Sequence, residues 1–189
     1  PSLGQESINA GMMSFILAFI LVLIYMVFYY HTAGMVAGIA LICNLFFLLG
    51  VLVSFGAVLT LPGIAGIVLT MGMAVDANVI IYERVKEELR AGKGLALSLK
   101  EGFKNAMSAI IDGNLTTLIT GIVLFIFGTG PVQGFATTLI IGILTSLFCA
   151  IFITRLIFSA MLNKGKNIRF SNRYTENCLA HTHVNFISM

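Results

Sequence analysis

The chain has 189 residues, of which 58% are hydrophobic and only 10% are charged, and its mean hydropathy is +1.00. Soluble domains carry about 25% charged residues, so this composition excludes an ordinary soluble protein and predicts a membrane protein. The net charge of +3 comes from basic residues that flank apolar segments, a pattern that favours contact with anionic membrane lipid and argues against nucleic-acid binding.

Five apolar segments are long enough to cross a bilayer, which takes about 20 mostly apolar residues. They lie at about residues 12–30, 35–55, 64–83, 111–127 and 132–162. The sequence therefore predicts an all-α membrane protein with a bundle of five transmembrane helices, which together form a domain over residues 11–162.

The segments outside the spans differ in character. Residues 1–10 are predicted to end an external, periplasmic region, and the lack of an initial Met and of a signal peptide suggests a piece of a longer protein. Residues 95–109 mix charged and apolar side chains, which predicts an amphipathic helix on the cytoplasmic membrane surface. Residues 163–189 lose the apolar pattern and predict a cytoplasmic linker or tail.

The positions of the basic residues predict the orientation of the helices. No Lys or Arg precedes Arg84, and all but Arg155 fall within residues 84–104 or 164–173. Cytoplasmic loops are enriched in Lys and Arg, so both stretches should be cytoplasmic. The N-terminal end of the chain and the turns at Pro62 and Pro131 should then be periplasmic.

Small side chains predict which helix faces pack together. Close approach of helix backbones favours association within lipid, where burial of apolar surface gives little gain. The fifth span carries small residues at every fourth position, and the third span carries Gly72 on the same helix face as Ala65 and Asp76. The predicted packing residues are Gly134, Thr138, Gly142, Ser146 and Gly72. The first span contains no glycine, and we expect it to be the span most exposed to lipid.

Asp76 is the main candidate for a functional residue. It lies in the third span, seven residues before Glu83 and therefore about 10 Å inside the cytoplasmic end of its helix. A carboxylate near the bilayer centre costs about 3 kcal/mol on insertion scales. A proton-binding carboxyl is the functional interpretation, and a carboxyl that only packs against a polar neighbour is the structural one.

Two further charged residues lie near the cytoplasmic ends of spans. Asp112 precedes an apolar helical run, which is also typical of a helix N-cap. Arg155 lies at a depth similar to that of Asp76, where it can pair with an intramembrane acid or extend to the interface. The three cysteines and three histidines show no metal-ligand spacing, so we expect no metal site.

Four motifs resemble the membrane region of the SecD family, an accessory component of bacterial Sec protein export. The motifs are LPGIAGIVLT at 61–70, GMAVDANV at 72–79, IDGNLTTLI at 111–119 and FGTGPVQGFA at 127–136. Residues 1–8 are similar to the strand that leaves the family's periplasmic domain, and the resemblance extends to about residue 165. The Asp-Ala-Asn form is closer to SecD than to the related SecF.

This resemblance implies half of a pseudo-symmetric transporter of the resistance-nodulation-division (RND) superfamily, in the bacterial inner membrane. It implies SecF, separate or fused downstream, as the partner half, with the SecYEG channel and a translocating preprotein as further partners. Asp76, Asp112 and Arg155 fall on charged positions of the proton pathway. Protons would be the coupling ion, with no other cofactor, and the protein would be a translocation component rather than an enzyme.

Two alternatives remain open from the sequence. An RND-type exporter of lipids or small molecules would share the fold, because a fold does not determine the cargo. An intramembrane aspartyl protease also needs two aspartates on facing helices, but neither Asp76 nor Asp112 follows the Gly-x-Gly pattern of such enzymes.

Overall fold

A computed structural model of the chain describes residues 2–56 and 60–165, together with Ile168 and Phe170. The elements are α1 (Ser2–Tyr30), α2 (Thr32–Ser54), α3 (Leu61–Arg90), α4 (Leu95–Phe127), α5 (Pro131–Phe148), a π-helical segment (Cys149–Ile153) and α6 (Thr154–Asn163). The last three form one continuous helix. The described residues thus contain five helices that are long and apolar enough to cross a membrane, which confirms the predicted all-α, five-span fold.

The first helix begins earlier than predicted and is the least buried. Residues 2–8 are helical as part of α1, so the expected strand at this position is wrong. Only 6% of the apolar part of α1 is buried, against 50% for α3, which confirms that α1 is the most exposed span. Its contribution to the core comes from its C-terminal end, where Met26 and Tyr30 are buried.

The ends of α3 follow from local sequence. The side chain of Thr60 accepts a hydrogen bond from the backbone N–H of Gly63 at 3.2 Å, and Pro62 occupies the first turn. Both features favour the start of a helix. At the other end, Gly92 adopts a φ of 86°, the left-handed conformation that commonly follows a helix terminus. This turn leads directly into α4.

Residues 95–127 form the single helix α4, which corrects two predictions. There is no separate surface helix at 95–109, and Asp112 lies inside α4 rather than at its N-cap, which is Gly94. The apolar side of residues 95–109 packs on α3 instead of on lipid headgroups. At Gly102 an added Cβ would lie 2.4 Å from Cγ2 of Val85, so only glycine permits this close approach.

The small residues of α5 lie against α3, and these two helices form the most extensive contact in the bundle. An added Cβ at Gly142 would lie 2.4 Å from Cγ2 of Thr70, and one at Gly134 would lie 3.0 Å from the Thr60 hydroxyl. Thr138 and Ser146 are buried on the same face. Gly72 differs from the prediction, because it is exposed and an added Cβ would meet no atom within 4 Å.

Aromatic residues pack together at the end of the bundle that contains the C-terminal parts of α1, α3 and α6. The ring of Tyr82 packs against those of Tyr30, Phe158 and Phe170, with centroid distances of 5.3 to 5.8 Å. Phe170 and Ile168, which belong to the predicted tail, are buried in this cluster. The tail therefore contributes to the core at these two positions. The rest of the predicted tail beyond Gly165, with Cys178 and two of the histidines, lies outside the described residues.

The short connections make consecutive helices antiparallel, which allows a direct test of the predicted orientation. A cysteine placed at Lys93, in the α3–α4 turn, should react only with reagents that enter the cytoplasm. A cysteine placed at Thr129, before α5, should react with an impermeant maleimide added to intact cells. Both variants should be made in a chain that lacks its own cysteines. Labelling of position 93 from outside would contradict the orientation.

Candidate functional site

The two polar residues of the Asp-Ala-Asn motif face different neighbours. Residues two apart on an α-helix are related by a rotation of about 200°, so their side chains point to nearly opposite sides of the helix. Asp76 faces a cavity of about 290 Å³ between α3 and α4, whereas Asn78 is buried and faces the π-helical segment and α6. The residues that line the cavity are Met73, Asp76, Ala77, Ile80, Ala109, Ile110, Gly113, Asn114 and Thr117.

Helix α4 supplies two polar side chains to this cavity, and both are tied to their own helix. Asn114 Nδ2 donates a hydrogen bond to the carbonyl of Ile110 at 2.7 Å, and the Thr117 hydroxyl donates to the carbonyl of Gly113 at 3.2 Å. The side-chain oxygens of Asn114 and Thr117 keep acceptor capacity for water. Within the described residues, Asp76 itself makes no hydrogen bond or ion pair, so its carboxyl is open to water in the cavity.

Asn114 is a part of the site that sequence reasoning missed. It belongs to the motif at 111–119, in which Asp112 was the only residue predicted to be functional. The signal that was present is the helical spacing of Ile110, Gly113, Asn114 and Thr117, which places all four on one side of α4. That side faces Asp76 across the cavity.

The other two predicted charges do not join Asp76. Asp112 is exposed, accepts a 3.4 Å hydrogen bond from Ser108, and does not line the cavity. Arg155 is exposed on α6, and the ion pairs within the described residues do not include it. In the structure, Arg155 therefore does not form an ion pair with Asp76. The structure also does not bring Asp76 and Asp112 into one site, as an aspartyl protease would require.

Thr154, the neighbour of Arg155, makes a hydrogen bond between α6 and α3. Its hydroxyl donates to Asn78 Oδ1 at 3.0 Å and also lies 3.3 Å from the carbonyl of Cys149. Asn78 Nδ2 donates to the carbonyl of Ala74 at 3.3 Å. Asn78 therefore makes a hydrogen bond between helices. Asn44 is buried with neither amide atom bonded to a described residue.

In the C-terminal part of α3, Glu83 joins α1 to α3. Its Oε1 accepts a hydrogen bond from the Tyr30 hydroxyl at 2.8 Å and one from Lys86 Nζ at 3.0 Å. The Lys86 side chain is only 5% exposed. Its ammonium group lies 5.3 Å from the ring centroid of Tyr29 and 5.4 Å from that of Tyr30, within the range of cation–π attraction.

A second ionic cluster holds the turn between α3 and α4. Lys93 pairs with Glu88 of α3 and Glu101 of α4, and Asn105 donates to Glu88 Oε1 at 2.9 Å. The hydrogen bond to Glu101, followed by that to Glu88, raises the pKa of Lys93 above its ordinary value of 10.5. The stabilisation that these two ion pairs give is therefore fully present below pH 10.5. It is lost as the pH rises through the raised pKa of Lys93.

Lys93→Gln should lower the melting temperature of the purified protein only slightly, because exposed ion pairs contribute little. The difference from wild type should be the same at pH 7 and pH 9, since Lys93 stays charged at both. It should shrink in about 1 M salt, where the Debye length falls to about 3 Å. Differential scanning fluorimetry in detergent gives the measurement. An unchanged difference in high salt would show that packing, not charge, holds the turn.

Comparison with known proteins decides the family. The family model described as "Protein export membrane protein SecD/SecF, C-terminal" matches residues 1–164. The chain belongs to the SecD/SecF family. A protein of Rhodothermus marinus named protein translocase subunit SecD is 54% identical over 166 residues, and one of Desulfurispirillum indicum with the same name is 55% identical over 162 residues. These alignments cover 88% and 86% of the chain.

The structural comparison agrees with the sequence comparison. A crystal structure of SecDF, a translocon-associated membrane protein from Thermus thermophilus, matches with a TM-score of 0.86 and 40% identity over 89% of the chain. A SecDF structure in a super-membrane-facing form matches with a TM-score of 0.82 and 41% identity. The chain spans 27% and 32% of the two SecD proteins and 24% of the first SecDF chain, so it corresponds to one membrane portion of these larger SecD and SecDF proteins.

Proposed function

We propose that the chain is the membrane part of an accessory subunit for Sec-dependent protein export in the bacterial inner membrane, and that protons are its coupling ion. The observation that carries this proposal is the position of Asp76. It is an acidic side chain at membrane depth, unpaired within the described residues, beside a cavity with two polar side chains. The SecD names of the relatives support the assignment to protein translocation.

The position of Asp76 on α3 suggests how a proton can act on the bundle. A charged carboxylate in a membrane is costly, and protonation removes most of that cost. Helix α3 contacts α1, α2, α4 and α5, so a change in its preferred position affects the whole bundle. Loading and release of a proton at Asp76 would then shift the population between two packings of α3, which is what a transport cycle requires.

The exposed face of α4 supports a partner half within the membrane. Only 11% of the apolar part of α4 is buried, and Asp76 is exposed in the cavity between α3 and α4. We propose that SecF packs here to complete the pseudo-symmetric transporter, and that the pair acts beside SecYEG on a translocating preprotein. An arginine that pairs with Asp76 would then belong to SecF, and Arg155 would not have this role.

The test is export of a preprotein into membrane vesicles that contain SecYEG and SecF. Vesicles should be prepared with and without the full-length protein to which this chain belongs, and each should be assayed with and without a proton gradient. We expect the gradient to stimulate export much more when the protein is present. Equal stimulation in its absence would contradict the proposal, and would leave an exporter of lipids or small molecules as the alternative to examine.

A further inference from the structure

Glu83 lies on the same side of α3 as Asp76, closer to the cytoplasm. The seven residues between them correspond to nearly two full turns and a rise of about 10 Å. Ile80 lies between the two acids, and it lines the cavity together with Asp76. The cavity therefore extends from Asp76 to within one helical turn of Glu83, at the end of α3 that carries the basic residues.

The carboxylate of Glu83 is fixed but still reaches water. Tyr30 and Lys86 both donate to Oε1, which holds the group in place. The side chain remains 35% exposed. The charged or titratable groups around it are Lys86 on its own helix and Tyr30 on α1, with Tyr29 against Lys86. A buried ammonium is costly without a charged partner, and Glu83 is the acid that contacts Lys86.

We infer that Glu83 is the cytoplasmic acceptor of the proton that leaves Asp76. This inference rests on the proposed function. The proton passes from the Asp76 carboxyl to water in the cavity, then to a carboxylate oxygen of Glu83, and finally to cytoplasmic water. Each step breaks one O–H bond and forms another, so no redox partner is needed. Lys86 and Tyr30 position the acceptor.

A purely structural role for Glu83 makes a different prediction. If the group only joins α1 to α3, weakening the same contact from the other side should have the same effect. Tyr30→Phe removes one hydrogen bond to Glu83 and keeps both the aromatic ring and the carboxylate. Glu83→Gln keeps a hydrogen-bonding side chain of the same size and removes only the ionisable group. The two variants therefore distinguish a role of Glu83 in proton transfer from a role in holding α1 against α3.

The experiment is gradient-stimulated export into vesicles with the full-length protein, SecF and SecYEG. Glu83→Gln should lose most of the stimulation, and formate, a small carboxylic acid that carries protons, should restore part of it. Tyr30→Phe should lose less and should not respond to formate. Glu87→Gln is the matched control, because Glu87 is exposed and pairs only with Arg84, and it should behave as wild type. Wild type in the same formate buffer corrects for partial loss of the gradient.

Two results would overturn the inference. One is full stimulation with Glu83→Gln, and the other is an equal loss in Glu83→Gln and Tyr30→Phe without rescue by formate. Asp76→Asn is assayed in parallel to separate the two proposals. If Asp76→Asn keeps its stimulation, the proton site itself is wrong, whereas loss in Asp76→Asn with full activity of Glu83→Gln removes only the role of Glu83.

Discussion

Replacing Asp76 by Asn should abolish the stimulation of export by a proton gradient while insertion and assembly of the protein stay normal. Asn has nearly the same size and cannot bind or release a proton near neutral pH. Asp76 is exposed to the cavity and makes no hydrogen bond with the described residues, so its replacement removes no contact of the fold. Loss of an intramembrane charge also lowers the insertion cost.

The matched control is Asp112→Asn, which makes the same substitution at another exposed acid. Asp112 does not line the cavity, and its one hydrogen bond within the described residues comes from Ser108. We expect this variant to retain most of the stimulation. The measurement is export into vesicles with SecF and SecYEG, with and without a gradient, after the amount of membrane-inserted protein has been equalised. Full stimulation with Asp76→Asn would leave Asp76 with a structural role only.

The spans and the main candidate residue could be predicted from the sequence because both depend on local properties. Hydropathy over about 20 residues identifies a membrane helix without knowledge of its neighbours. An acidic residue such as Asp76 stands out in an apolar segment for the same reason. The residues around Asp76 could not be predicted from local sequence. That Asp76 faces Asn114, while Asn78 bonds to Thr154, depends on how α3, α4 and α6 pack.

The errors arose where one pattern fits two environments. The apolar side of residues 95–109 suits either lipid headgroups or another helix, and in the structure it packs on α3 around Gly102. An acid before an apolar run suits either an N-cap or a helix interior, and Asp112 is in the interior of α4. The contact of Tyr30 with Glu83 joins residues 53 apart, and no local pattern indicates such a pair.

Gly142→Leu should destabilise the membrane domain strongly. An added Cβ alone would lie 2.4 to 2.7 Å from three side-chain atoms of Thr70, so a leucine must push α5 away from α3. Overpacking typically costs about 1–3 kcal/mol, occasionally more. Gly50→Leu is the control, since Gly50 is helical and exposed, and an added Cβ there meets no atom within 4 Å. We expect only Gly142→Leu to lower the melting temperature in detergent and the yield of folded protein.

Two smaller substitutions test whether the contact between Gly142 and Thr70 causes this loss of stability. Gly142→Ala adds only the Cβ, and the atoms it meets all belong to the side chain of Thr70. Thr70→Gly removes those atoms, although it costs roughly a few tenths of a kcal/mol in helix propensity and leaves a small void of its own. The double variant should therefore be more stable than the sum of the two single losses predicts, because residues in contact are not additive. Strictly additive losses in melting temperature would mean that α5 does not pack on α3 through Gly142 and Thr70.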